Sequence, residues 1–397
     1  MKIAVFIKRT TFHKGYGGLE TQNKVLCEEL VKRGHKIIVF SPKAGLEEEN
    51  KILNKVNYRF IKADYYYKIL SFFNPHNWAK RSYEVFKKLH KEEPFDIVLS
   101  QSSAGEGIIK NKKELAVPVI TISHGSIASE MKTYLQTERI KRVMDIYWLI
   151  KNIQYFLRMF FGRQRLVVLH ADKVIAVSSY IKEALIEETF CSEDKIEVVN
   201  NGIDPRLIES LPRENIEDDK TNIIYIGRID KSKGIYELIN IFNGLTEKQI
   251  LLHIVGGGPE LENLKSKNDN SNIIFYGMKK HEEALSLLKG SDIFVFPTKR
   301  IEGFPMVLVE AAFCKLPIVA FNKGGVRDMV IDNKTGHLIE EKNIEEFKIR
   351  LRELIKDINK RKEFGQNNYH YALQNLTILK MIDKYEKIMN DIFKGRK

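Results

Sequence analysis

The stretch IFVFPTKRIEGFPMVLVEAAF, residues 293–313, decides the fold. It opens on a wholly apolar run of strand length, Ile293 to Phe296, closed by Pro297. It ends in an apolar segment starting at Met306 that reads as a helix. Between the two lies a turn built on Gly303 and Pro305. Strand, turn and helix in that order are half of a βαβ unit, with the helix start facing the strand's carboxyl end. The first amides of such a helix have no partner within it, and the helix dipole favours negative charge there, so the terminus suits an anion. Glu302 and Glu310 bracket the turn as two possible acceptors for hydroxyl groups. Phosphate held by main chain and hydroxyls held by acids would suit a nucleotide-sugar. The alternative is one loop acid and one solvated helix acid.

Outward from this stretch the same alternation recurs. Strand-like runs fall at Ile3–Ile7, Lys36–Phe40, Ile97–Leu99, Val117–Ile122 and Val174–Val177, then at Ile223–Ile226, Leu251–Val255, Ile273–Phe275, Ile293–Phe296 and Ile318–Phe321. Helical patterns lie between them, among them Glu20–Lys32, Tyr83–Lys91, Tyr236–Phe242 and Glu283–Lys289. Apolar strands alternating with helices imply parallel sheets covered on both faces. The series restarts after residues 205–220, a stretch with two prolines and mixed charge that reads as a linker. The expected organisation is α/β: a first doubly wound domain over 1–204, the linker, a second over 221–375, and a terminal helix over 376–397. Two such domains would face each other across a cleft, with ligands beyond the carboxyl ends of the strands.

Length and composition agree with two domains. The chain has 397 residues, 43% of them hydrophobic, enough for two cores. Three cysteines, far apart and without metal-ligand spacing, point to a reducing compartment and no disulfide framework. Met1 leads straight into a strand-like run, which argues against a signal peptide, and no uncharged apolar run reaches the roughly 18 residues of a membrane span. A cytoplasmic protein is expected. The net charge of +13 is uneven: residues 1–200 carry 33 Lys and Arg against 23 Asp and Glu. A basic half suits nucleic acid, anionic lipid or phosphorylated substrates, unless it reflects general lysine richness.

Further motifs follow the strands. Gly17 and Gly18 lie in a glycine-rich loop after the first strand, where backbone can approach a ligand. His124 lies just past the run Ile120–Ser123. Arg228 and Lys233 flank a loop after the first strand of the second domain and could converge on one dianion, the arginine as a planar fork and the lysine as a point charge. Gly257 sits in the turn Gly256-Gly257-Gly258-Pro259, which could admit the edge of a nucleobase. Residues 131–166 mix aromatic with basic side chains, including Arg158, Arg163 and Arg165, and the patch Tyr65–Phe73 has a similar character. That composition suits an interfacial helix pair on an anionic membrane, or else helices packed on the first sheet.

In their order these motifs resemble the retaining glycosyltransferases of the GT-B fold, specifically the family-4, group 1 type. The likeness rests on GGLE (17–20), SHG (123–125), ADKVIAVSSYIKE (171–183), VVNNGID (198–204), YIGRIDKSKG (225–234), VGGGPE (255–260), FPTKRIEGFPMVLVEAAFCKLPIVAF (296–321), GGVRDMV (324–330) and TGHLI (335–339). The resemblance implies that Arg228 and Lys233 hold the donor's diphosphate. Glu302 would stabilise charge near the anomeric carbon, and Glu310 would take the ribose hydroxyls. Backbone of Gly303, Phe304, Pro305, Met306 and Val307 would cradle phosphate. Gly17, Gly18 and Gly257 would approach the donor, His124 would lie near sugar or acceptor, and the last helix would cross back to the first domain. Pro305 stands where the family usually has a small residue, and it removes one N–H. Asp328 stands where Glu is frequent.

No Asp-x-Asp occurs in the sequence, so no divalent metal is expected, and the resemblance implies no other cofactor. The expected activity is retaining transfer of a hexosyl-type unit from a nucleoside-diphosphate sugar, UDP- or GDP-linked, to a glycan or lipid-linked acceptor. The expected setting is cell-envelope polysaccharide, lipopolysaccharide or glycolipid synthesis, at the inner membrane face and without nucleic acid as partner. The alternatives are a GT-B-like nucleotide-sugar epimerase and a non-catalytic basic membrane-associated binding protein. A nicotinamide dehydrogenase ranks lower, because G-x-G-x-x-G is missing after the first strand.

Overall fold

The computed structural model describes residues 1–15, 17–63, 77–137, 143–214, 216 and 219–395. The patch Tyr65–Phe73 lies outside them. The chain divides into two units: Met1–Met131 with Arg142–Asn200 and Met381–Lys397, and Lys132–Lys141 with Asn201–Lys380.

Each unit is built on a sheet whose strands are the apolar runs of the sequence. In the first, β1 (Lys2–Phe6), β2 (Lys36–Pro42), β3 (Asn50–Leu53), β4 (Val56–Ile61), β5 (Ile97–Gln101), β6 (Val119–Ser123), β7 (Lys173–Ala176) and β8 (Ile196–Val198) run in the order β3-β4-β2-β1-β5-β6-β7-β8. All neighbours pair parallel except β3 with β4. Every residue of β5 and β6 is buried, as a parallel sheet covered on both faces requires.

The second sheet contains β9 (Thr221–Ile226), β10 (Ile250–Val255), β11 (Ile273–Gly277), β12 (Ile293–Phe296), β13 (Ile318–Phe321) and β14 (Gly336–Ile339), in the order β11-β10-β9-β12-β13-β14 and parallel throughout. Alternate residues such as Ile223, Tyr225, Val295 and Phe321 pack with Leu238, Phe347 and Leu351 from the covering helices. Successive strands step outward one way from β9 and the other way from β12. The strand order therefore reverses between β9 and β12 in this sheet, and between β1 and β5 in the first. At such a reversal the flanking connections leave toward opposite faces and open a crevice at the strands' carboxyl ends.

The stretch expected as a linker starts with a helix, Pro205–Glu209. Asp204 caps it by accepting from the Arg206 N–H at 3.1 Å, and proline occupies the first turn, where its missing N–H costs nothing. Ile208 is buried, and the Lys289 ammonium donates to the Ile208 carbonyl at 2.9 Å, so this helix packs on the second unit. The terminal helix Ile378–Lys394 buries Met381, Ile382, Tyr385 and Met389. From Met381 onward it belongs to the first unit. There Arg33 pairs with Asp383 at 2.8 Å and Glu386 at 3.3 Å, and His35 meets Glu386 at 2.9 Å.

Candidate functional site

Two loops meet at the carboxyl edge of the second sheet. The first leaves β9 and the second leaves β12, the pair of strands at which the order reverses. Asp230 organises the first loop: its Oδ1 accepts from the N–H groups of Ser232 at 2.9 Å and Lys233 at 3.2 Å and so caps a short turn. The turn ends at Gly234, whose φ of 72° is left-handed. A Cβ there would lie 1.8 Å from the Pro297 carbonyl oxygen, so only glycine allows this close approach to the chain leaving β12. The Ser232 carbonyl then accepts from both Lys299 and Arg300 N–H groups at 2.9 Å. Main chain thus staples one loop to the other.

The staple brings Lys233 onto Glu302. Their Nζ–Oε1 distance is 2.6 Å, with side chains only 18% and 12% exposed. The Thr298 hydroxyl donates to the same Oε1 at 3.1 Å. Behind the carboxylate, the Glu302 carbonyl accepts from Gly325 N–H at 2.7 Å, and a bridge joins Glu302 to Gly324. Arg228 belongs to the same loop as Lys233 but is exposed; its Nε lies 3.2 Å from Asp230 Oδ2.

The chain continues through Gly303 and the buried Phe304 and Pro305 into the helix Met306–Phe313. Pro305 is the cap residue, which places its missing N–H outside the helix. It provides no side-chain hydrogen bond to the first turn, whose Met306 and Val307 are partly buried. Glu310, one turn along, accepts at 2.9 Å from Nε2 of His281, the first residue of the helix His281–Gly290. This hydrogen bond raises the pKa of His281. On the neighbouring turn, the Gly257 carbonyl accepts from Ile229 N–H at 2.9 Å, which ties the turn after β10 to the loop after β9.

The remaining sequence candidates belong to the first unit. Gly17 caps the helix Gly18–Lys32 and is exposed; its N–H donates to Glu20 at 2.8 Å. His124 follows β6. Its Nε2 lies 2.6 Å from Gln101 Oε1, and Gln101 donates onward to Asn23 at 2.8 Å. Gln101 ends β5 and Asn23 lies on the helix after β1, so this relay marks the reversal point of the first sheet. The amide oxygen can only accept, so His124 carries its proton on Nε2. Burial lowers its pKa from 6.5 to about 4, and the ring is neutral at physiological pH.

The sequence reading named Lys233 and Glu302 individually; their contact, 69 residues apart, had no local signal. Thr298, Asp230, His281, Gln101 and Asn23 were not singled out. Only Asp230 had a usable cue, a capping residue ahead of a short turn that ends in glycine.

Two doubly wound parallel-sheet domains with this strand order define a GT-B-type protein. A model of glycosyltransferase family 4 matches residues 16–207, and a model of glycosyl transferases group 1 matches residues 208–371. The chain belongs to this group 1, family 4 type of glycosyltransferase. It is 26% identical over 393 residues to an uncharacterized glycosyltransferase of Methanocaldococcus jannaschii, covering 94% of each chain. It is 28% identical to the capsular polysaccharide biosynthesis glycosyltransferase CapM of Staphylococcus aureus, covering 70% of this chain and 72% of that one. Among solved structures, sucrose-phosphate synthase from Thermosynechococcus elongatus matches with a TM-score of 0.79 at 17% identity, over 99% of both chains. HepE of Anabaena in complex with UDP-glucose matches with a TM-score of 0.72 at 16% identity, over 98% of this chain and 100% of that one. These last two are likenesses of fold.

Removing one partner of a largely enclosed ion pair leaves the other charge uncompensated. Lys233→Met should therefore destabilise the protein by about 3 kcal/mol in chemical denaturation. Adding Glu302→Gln should recover most of that loss, because no orphaned charge remains. For His124 the depressed value means that, as the pH falls below 6.5, the unfolded chain takes up a proton that the folded chain refuses until about 4. The group's contribution to stability is complete above pH 6.5 and is lost on descending to pH 4. Denaturation of His124→Gln at several pH values should show a decline between pH 7 and 4 that is shallower than wild type by about 3 kcal/mol. Parallel declines would contradict a neutral His124.

Proposed function

We propose that the chain transfers a glycosyl unit from a nucleoside-diphosphate sugar to an acceptor hydroxyl, with retention at the anomeric carbon and without a divalent metal. The observation that carries this reading is the Lys233–Glu302 contact at the order reversal of the second sheet, beside Arg228 and the start of the helix Met306–Phe313. The departing diphosphate gathers charge as the glycosidic bond breaks. Lys233, Arg228 and the amides opening that helix would offset it, which is electrostatic preorganisation. Glu302, held from two sides, would face the positive charge developing at the sugar. Glu310 would take the ribose hydroxyls, giving up or sharing its bond to His281. The acceptor hydroxyl would attack from the face the diphosphate leaves and pass its proton to the leaving phosphate oxygen. His124, neutral and with its Nε2 proton engaged, would position sugar or acceptor without acting as a cationic acid.

Lack of the Asp-x-Asp motif supports the metal-independent part of the reading. The capsular relative and the HepE complex with UDP-glucose favour a nucleotide-sugar donor and an envelope glycan or lipid-linked acceptor. A membrane seat is also proposed. The helix Val143–Arg158 and the turn after it leave Tyr147, Ile150, Ile153, Leu157 and Phe161 exposed, the last at 66%. Ile150, Ile153 and Leu157 recur at helical spacing and share one side, an apolar stripe suited to lie in a bilayer interface. Arg163 does not join the basic rim: its Nε binds Glu106 at 2.8 Å and the side chain is 13% exposed.

Glycoside formation from a panel of UDP- and GDP-sugars tests the main reading. The double variant Lys233→Met/Glu302→Gln should fold and turn over at least a hundredfold slower, and a chelator should change the wild-type rate less than twofold. Free nucleoside diphosphate without any glycoside would favour epimerase chemistry instead. Ile150→Glu/Ile153→Glu/Leu157→Glu should abolish co-sedimentation with anionic liposomes; unchanged co-sedimentation would remove the membrane seat.

A further inference from the structure

The first unit contains a basic cavity that the glycosyl-transfer reading does not use. It has a volume of about 980 Å³ and opens at the carboxyl ends of β1, β2 and β4. Among the described residues, Lys8, Arg9, Lys14, Lys43 and Lys62 line it, against the one carboxylate of Glu49. Lys43 and Glu49 lie 3.5 Å apart, so the remaining lining charge is strongly positive. Arg9, Lys14 and Lys62 are exposed, with their charges accessible to a ligand.

The walls are built before any ligand arrives. His13 is buried between them: its Nδ1 accepts from Thr10 N–H at 3.0 Å, and its Nε2 donates to the Pro42 carbonyl at 3.0 Å. A neutral imidazole thereby fastens the loop leaving β1 to the end of β2. Beyond it, Lys43 N–H donates to the Ile61 carbonyl at 2.8 Å, which holds the end of β2 against the end of β4. Phe12 packs edge-on against Tyr58 with ring centroids 5.0 Å apart, and gives the cavity an apolar side. Cations on a pinned rim with an apolar wall fit a compact anion attached to a carbon body, and the volume accommodates a phosphorylated saccharide.

We propose that this cavity seats a phosphate-bearing group of the acceptor. The proposal rests on the glycosyl-transfer reading, in which the donor's diphosphate is already assigned to Arg228 and Lys233 of the other unit. Part of the surplus of basic residues over residues 1–200 then has a location and a role. A phosphorylated sugar in solution and the phosphate of a lipid-linked sugar present the same chemistry here.

The test is calorimetric titration of the full chain with inorganic pyrophosphate. Wild type should show two classes of site. Arg9→Glu/Lys62→Glu, two exposed changes that spare the fold, should weaken one class at least tenfold and leave the other. Lys233→Met/Glu302→Gln should do the reverse. If the Arg9/Lys62 variant titrates like wild type, or if the Lys233/Glu302 variant loses all binding, the cavity site is overturned. If the Lys233/Glu302 variant loses none while the Arg9/Lys62 variant loses a class, the cavity stands and the donor assignment falls. Displacement of the cavity-bound pyrophosphate by a hexose 1-phosphate would identify a soluble source, and displacement only by vesicles containing phosphatidic acid a lipid one. Displacement by neither would overturn the proposal.

Discussion

The site of the second unit depends on one main-chain arrangement: the Ser232 carbonyl accepts two N–H groups from the chain leaving β12, while Gly234 lets the two loops touch. Strand order sets the place. At the β9–β12 reversal the flanking connections leave toward opposite faces, so two loops can converge beyond the strand ends. The staple then sets the detail, bringing a lysine from one loop within 2.6 Å of a glutamate from the other. Without it, a pair of side chains this little exposed would have no reason to find each other, because desolvating two charges is repaid only by good geometry.

The ion pair links fold to chemistry. In the free protein Lys233 compensates Glu302, and Thr298 completes the carboxylate's partners. A bound diphosphate would share or compete for the same ammonium, whose position the pair already fixes. Such a pair contributes little net stability of its own. The first unit repeats the plan with different chemistry. At its own reversal point it carries a neutral histidine in an amide relay, and at the far ends of β1, β2 and β4 a rim of cations.

Much of the fold was legible in the sequence. Ten strands announced themselves as apolar runs, because a strand covered on both faces has no polar alternation to disguise it. The unanticipated strands are those where this logic weakens. β3 is a partly exposed antiparallel edge, and it turns into β4 through Asn54 and Lys55 at φ of 49° and 63°, without the glycine that marks such a turn. β4 alternates buried with half-buried residues and carries Asn57 and Arg59, β8 has three residues, and β14 opens on glycine. Pro205 looked like a linker residue but occupies the first turn of a helix, where proline fits as well. The site was legible in its residue types, and its contacts were not. His281 meets Glu310 across 29 positions, and Arg163 turns inward to Glu106 although its neighbours suggested a basic surface. Local spacing carries no record of which loops a sheet will bring together.

The most direct measurement is a crystal structure of the chain with a bound nucleoside diphosphate. The account predicts the terminal phosphate about 3 Å from Lys233 Nζ, within hydrogen-bond distance, and the ribose hydroxyls at Glu310. A nucleotide bound elsewhere, with the Lys233–Glu302 pair untouched, would contradict it.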